Sequence, residues 1–156
     1  MKKLNIFLLI VLLILIGLTA WFLIGGTLSA SVYSVTAPAS DHPEAFASIQ
    51  NILRSGSAPQ QFAEVPADAS GCTLVDTTIT LRNRGLFPAE WLDAAVTAAS
   101  GDIAVYSLTG EGSSVPTGGP SQLNLKLITT APADVVRSIT IRYYVFGMLR
   151  SITVKA

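Results

Sequence analysis

The chain has 156 residues, of which half are hydrophobic and 13% are charged, with ten basic residues balancing ten acidic ones. This length suits one domain. The zero net charge argues against a nucleic-acid binder, which carries a basic excess, and against a strongly charged disordered tail. The single cysteine excludes an intrachain disulfide framework.

An uncharged apolar run covers residues 6–24 and raises the mean hydropathy of the chain to +0.53. A helix of this length spans about 28 Å, close to the roughly 30 Å hydrocarbon core of a bilayer. Lys2 and Lys3 precede the run, whereas the next basic residue is Arg54. The positive-inside rule then places residues 1–5 in the cytoplasm. The sequence predicts a single-pass signal-anchor in the cell membrane, with the lipid bilayer as a partner and the C-terminal domain extracytoplasmic.

A cleaved signal peptide is the competing interpretation of the same run. Signal peptides have an apolar stretch of about 7–15 residues followed by small residues at the cleavage site. The run here is longer, which favours an uncleaved anchor. Cleavage after Ala20 or Ala30 would instead release a secreted soluble protein.

A small-residue segment and a short helix are predicted next. Residues 25–41 are rich in Gly, Ser, Thr and Ala, as in a linker, with a short strand conceivable at 32–36. Asp41 and Glu44 have the spacing of a capping box, which predicts a helix over 42–54. Its apolar stripe consists of Phe46, Ile49, Ile52 and Leu53.

The remainder of the chain, 72–155, has the alternation and turn signals of strands. Strands are predicted over 73–82, 103–108, 122–127, 136–146 and 149–154. Residues 88–99 are ambiguous, because alanine and a leading proline favour a helix while alternation favours a strand. We predict a strand, since the neighbours on both sides are β. The predicted fold is an all-β, immunoglobulin-like sandwich of six to seven strands within a 42–155 extracytoplasmic domain. One transmembrane helix and one short amphipathic helix precede the sandwich.

The turn Asn83-x-Gly85, followed by Phe87-Pro88-Ala89 leading into the next strand, resembles immunoglobulin-like modules and the late-embryogenesis-abundant type of β-sandwich. The resemblance covers residues 72–155 and implies a sandwich fold. The Cys…Trp…Cys signature of antibody-type domains is absent, because Cys72 is the single cysteine. A fold of this kind does not determine a function.

No motif in the sequence predicts catalysis, a metal site or a bound cofactor. His42 is the single histidine and is expected to face solvent at the start of the helix. Cys72 is expected to be buried or inert, as cysteines often are. The alternative is a nucleophile or a partner in an intermolecular disulfide. The glycine-rich loop 109–120 lacks the lysine of a phosphate-binding loop and is predicted to be a flexible hairpin or recognition loop.

Four apolar residues are candidate partner contacts. Leu86, Phe87 and Trp91 lie in or beside the Asn-Gly turn, and alternation in the following aromatic run is taken to expose Tyr143 and Val145. An exposed apolar patch would mark a partner interface. Leu86, Phe87, Trp91 and Tyr143 are therefore the predicted contacts for a protein partner of unknown identity.

Two function classes remain open. The first is a non-enzymatic structural or protein-binding subunit of a membrane or envelope assembly, acting through edge strands or loops. The second is an exported enzyme with a carboxylate-based site. Perturbed carboxylates in one concave pocket would favour the enzyme. An exposed apolar patch without them would favour the binding module.

Overall fold

A computed structural model describes residues 2–24, 28–132 and 134–156. The elements are helix α1 (Lys2–Ile24), strand β1 (Leu28–Pro38), a 3-10 turn (Ala39–Asp41), helix α2 (Pro43–Arg54), and strands β2 (Gln60–Gln61), β3 (Thr73–Asn83), β4 (Glu90–Thr97), β5 (Asp102–Thr109), β6 (Pro120–Thr129), β7 (Ser138–Val145) and β8 (Met148–Lys155). The predicted helix over 42–54 and the choice of strand for 88–99 are confirmed by α2 and β4.

The strands form two antiparallel sheets that pack face to face. One sheet has the order β1-β3-β6-β5-β2 and the other β4-β7-β8. A shared core takes side chains such as Ile79 and Leu123 from the first sheet and Leu92 and Ile141 from the second. The predicted β-rich architecture is therefore observed, with eight strands among the described residues where six or seven were predicted.

Helix α2 covers a second, smaller apolar cluster. Its residues Phe46, Ile49 and Leu53 pack against Ile103 and Ile128 of the five-stranded sheet. The helical spacing of these residues explains why this short helix docks by one face. The predicted capping box does not form, because Asp41 belongs to the 3-10 turn and the helix begins without a side-chain cap.

The membrane prediction is wrong. A bilayer span needs about 20 consecutive, predominantly apolar helical residues. Within the described parts of the chain, no helix meets the combined requirement of length and apolarity. This finding overturns the predicted signal-anchor over residues 6–24 and the predicted single-pass localisation in the cell membrane.

The segment predicted as a linker is mostly an edge strand. Strand β1 pairs with β3 in unbroken register from Leu28↔Asn83 to Pro38↔Thr73. Hydroxyl and β-branched residues suit a half-exposed pleated surface, so the composition that indicated a linker is equally compatible with a strand. Residues 25–27 lie outside the described residues.

Candidate functional site

The four predicted contact residues are only partly brought together on the surface. Leu86 is exposed and Trp91 is 69% exposed, whereas Phe87 is half-buried against the core. Tyr143 is 1% exposed. Its hydroxyl accepts a hydrogen bond from the backbone N–H of Leu28, 3.4 Å away, and so links β7 to β1.

The predicted orientation of β7 is reversed, and the prediction that Tyr143 and Val145 are exposed is wrong. Both residues are buried, and they share their face of the strand with Ile139 and Ile141. Successive side chains of a strand point to opposite faces, so the two isoleucines determine which face is inward. Tyr144 is consequently exposed on the outer face.

An open groove of about 480 Å³ lies on the outer face of the three-stranded sheet. Its apolar lining comes from Trp91, Tyr144 and Leu149, and its polar lining from Asp93, Glu111 and Arg142. We call these six residues the aromatic groove. The register explains their proximity, since Tyr144 lies opposite Leu149 on one side and Glu90, the residue before Trp91, on the other.

Two exposed aromatic residues at this end of the sheet have left-handed backbone conformations. Trp91 has a φ of +55° at the bulge between Glu90 and Asp93. Phe146 has a φ of +52° in the tight β7–β8 turn and is 72% exposed, with its ring 5.3 Å from that of Phe87. A left-handed conformation costs an L-residue about 1–2 kcal/mol, and hairpin turns of this kind favour Asn-Gly. The structure thus retains two strained positions beside the groove.

The carboxyl groups of the groove have different surroundings. Asp93 pairs with Arg142 at 3.8 Å, and both side chains are more than half exposed. The pKa of Glu111 is raised, chiefly by partial burial. A backbone hydrogen bond with Ala94 lowers this pKa in part, and the neighbouring Asp93 raises it further. No cluster of three or more metal-ligating side chains occurs among the residues that the structure describes.

Replacing Glu111 by Gln should raise the melting temperature at pH 7 and have less effect at pH 4. Because the pKa of Glu111 is higher in the folded chain than in the unfolded chain, folding favours the protonated carboxyl group. The ionised group therefore destabilises the folded chain once the pH rises above the pKa that Glu111 has in the unfolded chain. Thermal unfolding of both proteins across this pH range measures the difference. A larger gain at pH 4 than at pH 7 would contradict the assigned direction.

A buried ion pair, which no sequence pattern predicts, joins Arg137 to Asp102. Arg137 Nη2 is 2.6 Å from Asp102 Oδ1, and Nε lies 3.0 Å from both carboxylate oxygens. Nη2 also donates to Thr129, and the backbone N–H of Ala99 donates to Asp102. Burial raises the pKa of Asp102, but these hydrogen bonds and the Arg137 charge outweigh it and the net pKa is lowered. The pair joins the start of β5, the end of β6 and the segment before β7.

The single cysteine and the single histidine lie in different surroundings. Cys72 is buried, as predicted. The pKa of its thiol is raised, mainly by burial and to a lesser extent by the charge of Asp68. A raised pKa disfavours the reactive thiolate. His42 is exposed at the start of α2, also as predicted.

No family model matches the chain, and no curated protein matches it. Among solved structures, the crystal structure assigned to the ApaA protein of Bordetella pertussis is similar, with a TM-score of 0.50 and 11% sequence identity. The similarity covers 84% of this chain and 91% of the other. At this identity the likeness shows the fold alone.

Proposed function

We propose that the protein is a non-enzymatic binding module that holds a partner protein in the aromatic groove. The observation that supports this function best is the pairing of exposure with strain at Trp91 and Phe146. Large aromatic side chains in left-handed conformations destabilise the isolated fold, and such strain concentrates at functional sites. A β-bulge also redirects a side chain, as expected for Trp91.

The groove indicates the chemistry of the partner. Trp and Tyr are enriched among the residues that dominate binding energy, particularly where they lie in pockets surrounded by polar groups. Trp91 and Tyr144 therefore provide a platform for an aliphatic or aromatic anchor. Asp93 and Glu111 add two negative charges against the one positive charge of Arg142. The partner surface should carry a basic residue beside its apolar anchor.

One observation favours an enzyme as the second candidate. Asp93 and Glu111 share a groove with an exposed indole, and glycoside hydrolases use a pair of carboxyl groups. The engagement of Asp93 with Arg142 and the openness of the groove favour binding over hydrolysis. Hydrolysis of an aryl glycoside that is abolished by Glu111→Gln would reverse this preference.

The proposal is tested by photo-cross-linking in cells of the source organism. The photoreactive amino acid p-benzoylphenylalanine is placed at Leu149 in the groove or, as a matched control, at Thr109, an exposed position on the outer face of the other sheet. We expect one discrete protein adduct from position 149 and none of that size from 109. The adduct should disappear when Trp91→Asn is combined with the probe. No adduct from 149, equal adducts from both positions, or an adduct insensitive to Trp91→Asn would overturn the proposal.

A further inference from the structure

The described sheets have four edge strands, and three of them carry protection against pairing with another chain. Strand β2 is two residues long, β4 has a bulge and the charged residues Glu90 and Asp93, and β8 carries Arg150 and Lys155. Short length, bulges and charge are the usual means of blocking an edge. Strand β1 has eleven residues, no charge and an unbroken register with β3. Apart from Pro38 at its last position, β1 carries none of these devices, so among these edges it is the one suited to accept another strand.

The backbone of β1 offers hydrogen-bonding groups at its outer edge. Ala39 donates its N–H to Cys72 O at 2.9 Å, continuing the β1–β3 pairing, whereas the N–H of Leu28 turns away to the Tyr143 hydroxyl. In an antiparallel ladder each residue directs its N–H and C=O to the same side, and alternate residues face alternate sides. The even-numbered residues therefore face outward from β3. Ala30, Val32, Ser34 and Thr36 each offer an N–H and a C=O there, whereas Pro38 has no N–H to donate and the N–H of Leu28 is already bound to Tyr143. In the part of the chain that the structure describes, no strand pairs with this edge.

The sandwich is also open beneath the second half of β1. Ser34 and Thr36 lie on the face that carries Ala30 and Val32 against the core, yet both are exposed. The Ser34 and Thr77 hydroxyl oxygens are 2.9 Å apart at the edge of a cavity of about 40 Å³ between the sheets. A neighbouring strand would cover hydroxyl groups that the fold leaves in contact with water.

We propose that a second copy of this chain pairs with this edge, antiparallel, β1 to β1, about a two-fold axis at Ser34. In this register, Tyr33 of each copy lies opposite Val35 of the other copy, so one such pair lies on each side of the axis. Tyr33 is 69% exposed and Val35 is also exposed. Aromatic and β-branched residues are favourable cross-strand neighbours, so the pairing buries two large exposed side chains in each copy.

The composition of β1 is compatible with self-pairing. Because the strand has no charged residue, a second copy introduces no like-charge repulsion. The pair is isologous, so the assembly closes as a dimer with a continuous ten-stranded sheet. The aromatic groove lies on the other sheet and remains available in each copy.

Cysteine cross-linking in the full chain tests the register. In a Cys72→Ala background, Ser34→Cys would place two thiols at the axis with Cα atoms about 5.5 Å apart, within disulfide range. Ser31→Cys is the matched control, because its twin would lie about 20 Å away along the paired strand. We expect mild oxidation to give at least tenfold more disulfide dimer from Ser34→Cys than from Ser31→Cys. Equal yields, or no dimer from Ser34→Cys, would overturn the proposed register.

Charged substitutions at Ser34 distinguish a loss of pairing between copies from a loss of folding. Ser34→Lys and Ser34→Asp should each weaken dimerisation at least tenfold in sedimentation velocity, with unchanged circular dichroism. Mixing the two variants should restore the dimer, because opposite charges then meet at the axis. A monomeric unaltered chain, or variants that dimerise as well as that chain, would contradict self-pairing through β1.

Discussion

Replacing Asp102 by Asn should lower the free energy of unfolding by about 3–5 kcal/mol, because it leaves the Arg137 guanidinium charged and uncompensated inside the protein. The Asp102 side chain is fully buried and that of Arg137 is 7% exposed. Urea unfolding monitored by circular dichroism measures the loss. Arg137→Met should be similarly damaging, since it leaves the carboxylate buried without its partner.

The exposed Lys126–Asp76 pair provides the matched control. Its two charges lie 3.3 Å apart, but both side chains are nearly half exposed. Exposed pairs contribute about 0–1 kcal/mol, so Asp76→Asn should have a small effect. If Asp102→Asn were as mild as Asp76→Asn, the buried pair would not be the structural link described above.

The loss at Asp102 should also depend on pH. The pKa of Asp102 is lower in the folded chain than in the unfolded chain. Its contribution to stability is therefore present above the unfolded value of about 3.9 and disappears as pH falls through the folded value. The difference between the original protein and Asp102→Asn should accordingly shrink in acid.

Replacing Trp91 by Asn should stabilise the isolated protein and weaken partner binding at the same time. Asn tolerates a φ of +55° better than Trp, so removing the strain should add about 1 kcal/mol to the free energy of unfolding. Loss of an aromatic residue that dominates an interface typically costs 2 kcal/mol or more, about a 30-fold weaker affinity. Phe146→Asn should gain stability in the same way, since Asn-Gly is favoured in the β7–β8 turn.

Leu86→Asn is the control for this pair of effects. Leu86 is an exposed apolar residue near the same end of the sheet, but it is not among the residues with a left-handed backbone. It should therefore lack the stability gain expected for Trp91→Asn. A stability gain from Leu86→Asn equal to that from Trp91→Asn would show that strain relief is not the cause.

Much of the β architecture was predictable because apolar and polar residues alternate clearly along its strands. In β6, Leu123, Leu125 and Leu127 recur at every second position and all three are buried. Strand β7 was predicted with the wrong face inward, because the aromatic run was considered without Ile139 and Ile141. Strand β1 was mistaken for a linker because its serines and threonines suit either structure.

The candidate site was less predictable, because it depends on tertiary proximity. Trp91 was identified from its position beside a turn, but Tyr144 and Leu149 join it only through the β4-β7-β8 pairing. One local signal was available, since Phe146 precedes Gly147 where a hairpin turn normally has Asn. The link between Asp102 and Arg137 has no local pattern, since 35 positions separate the two residues along the chain.

The central claim is that a partner protein binds in the aromatic groove at Trp91. The most direct test is to measure the melting temperature and the cross-linking yield of one protein, the Trp91→Asn variant with the photoreactive residue at Leu149. If the left-handed Trp91 is retained for partner binding, the melting temperature should rise while the adduct disappears. A higher melting temperature with an undiminished adduct would contradict the assignment of the aromatic groove as the binding site.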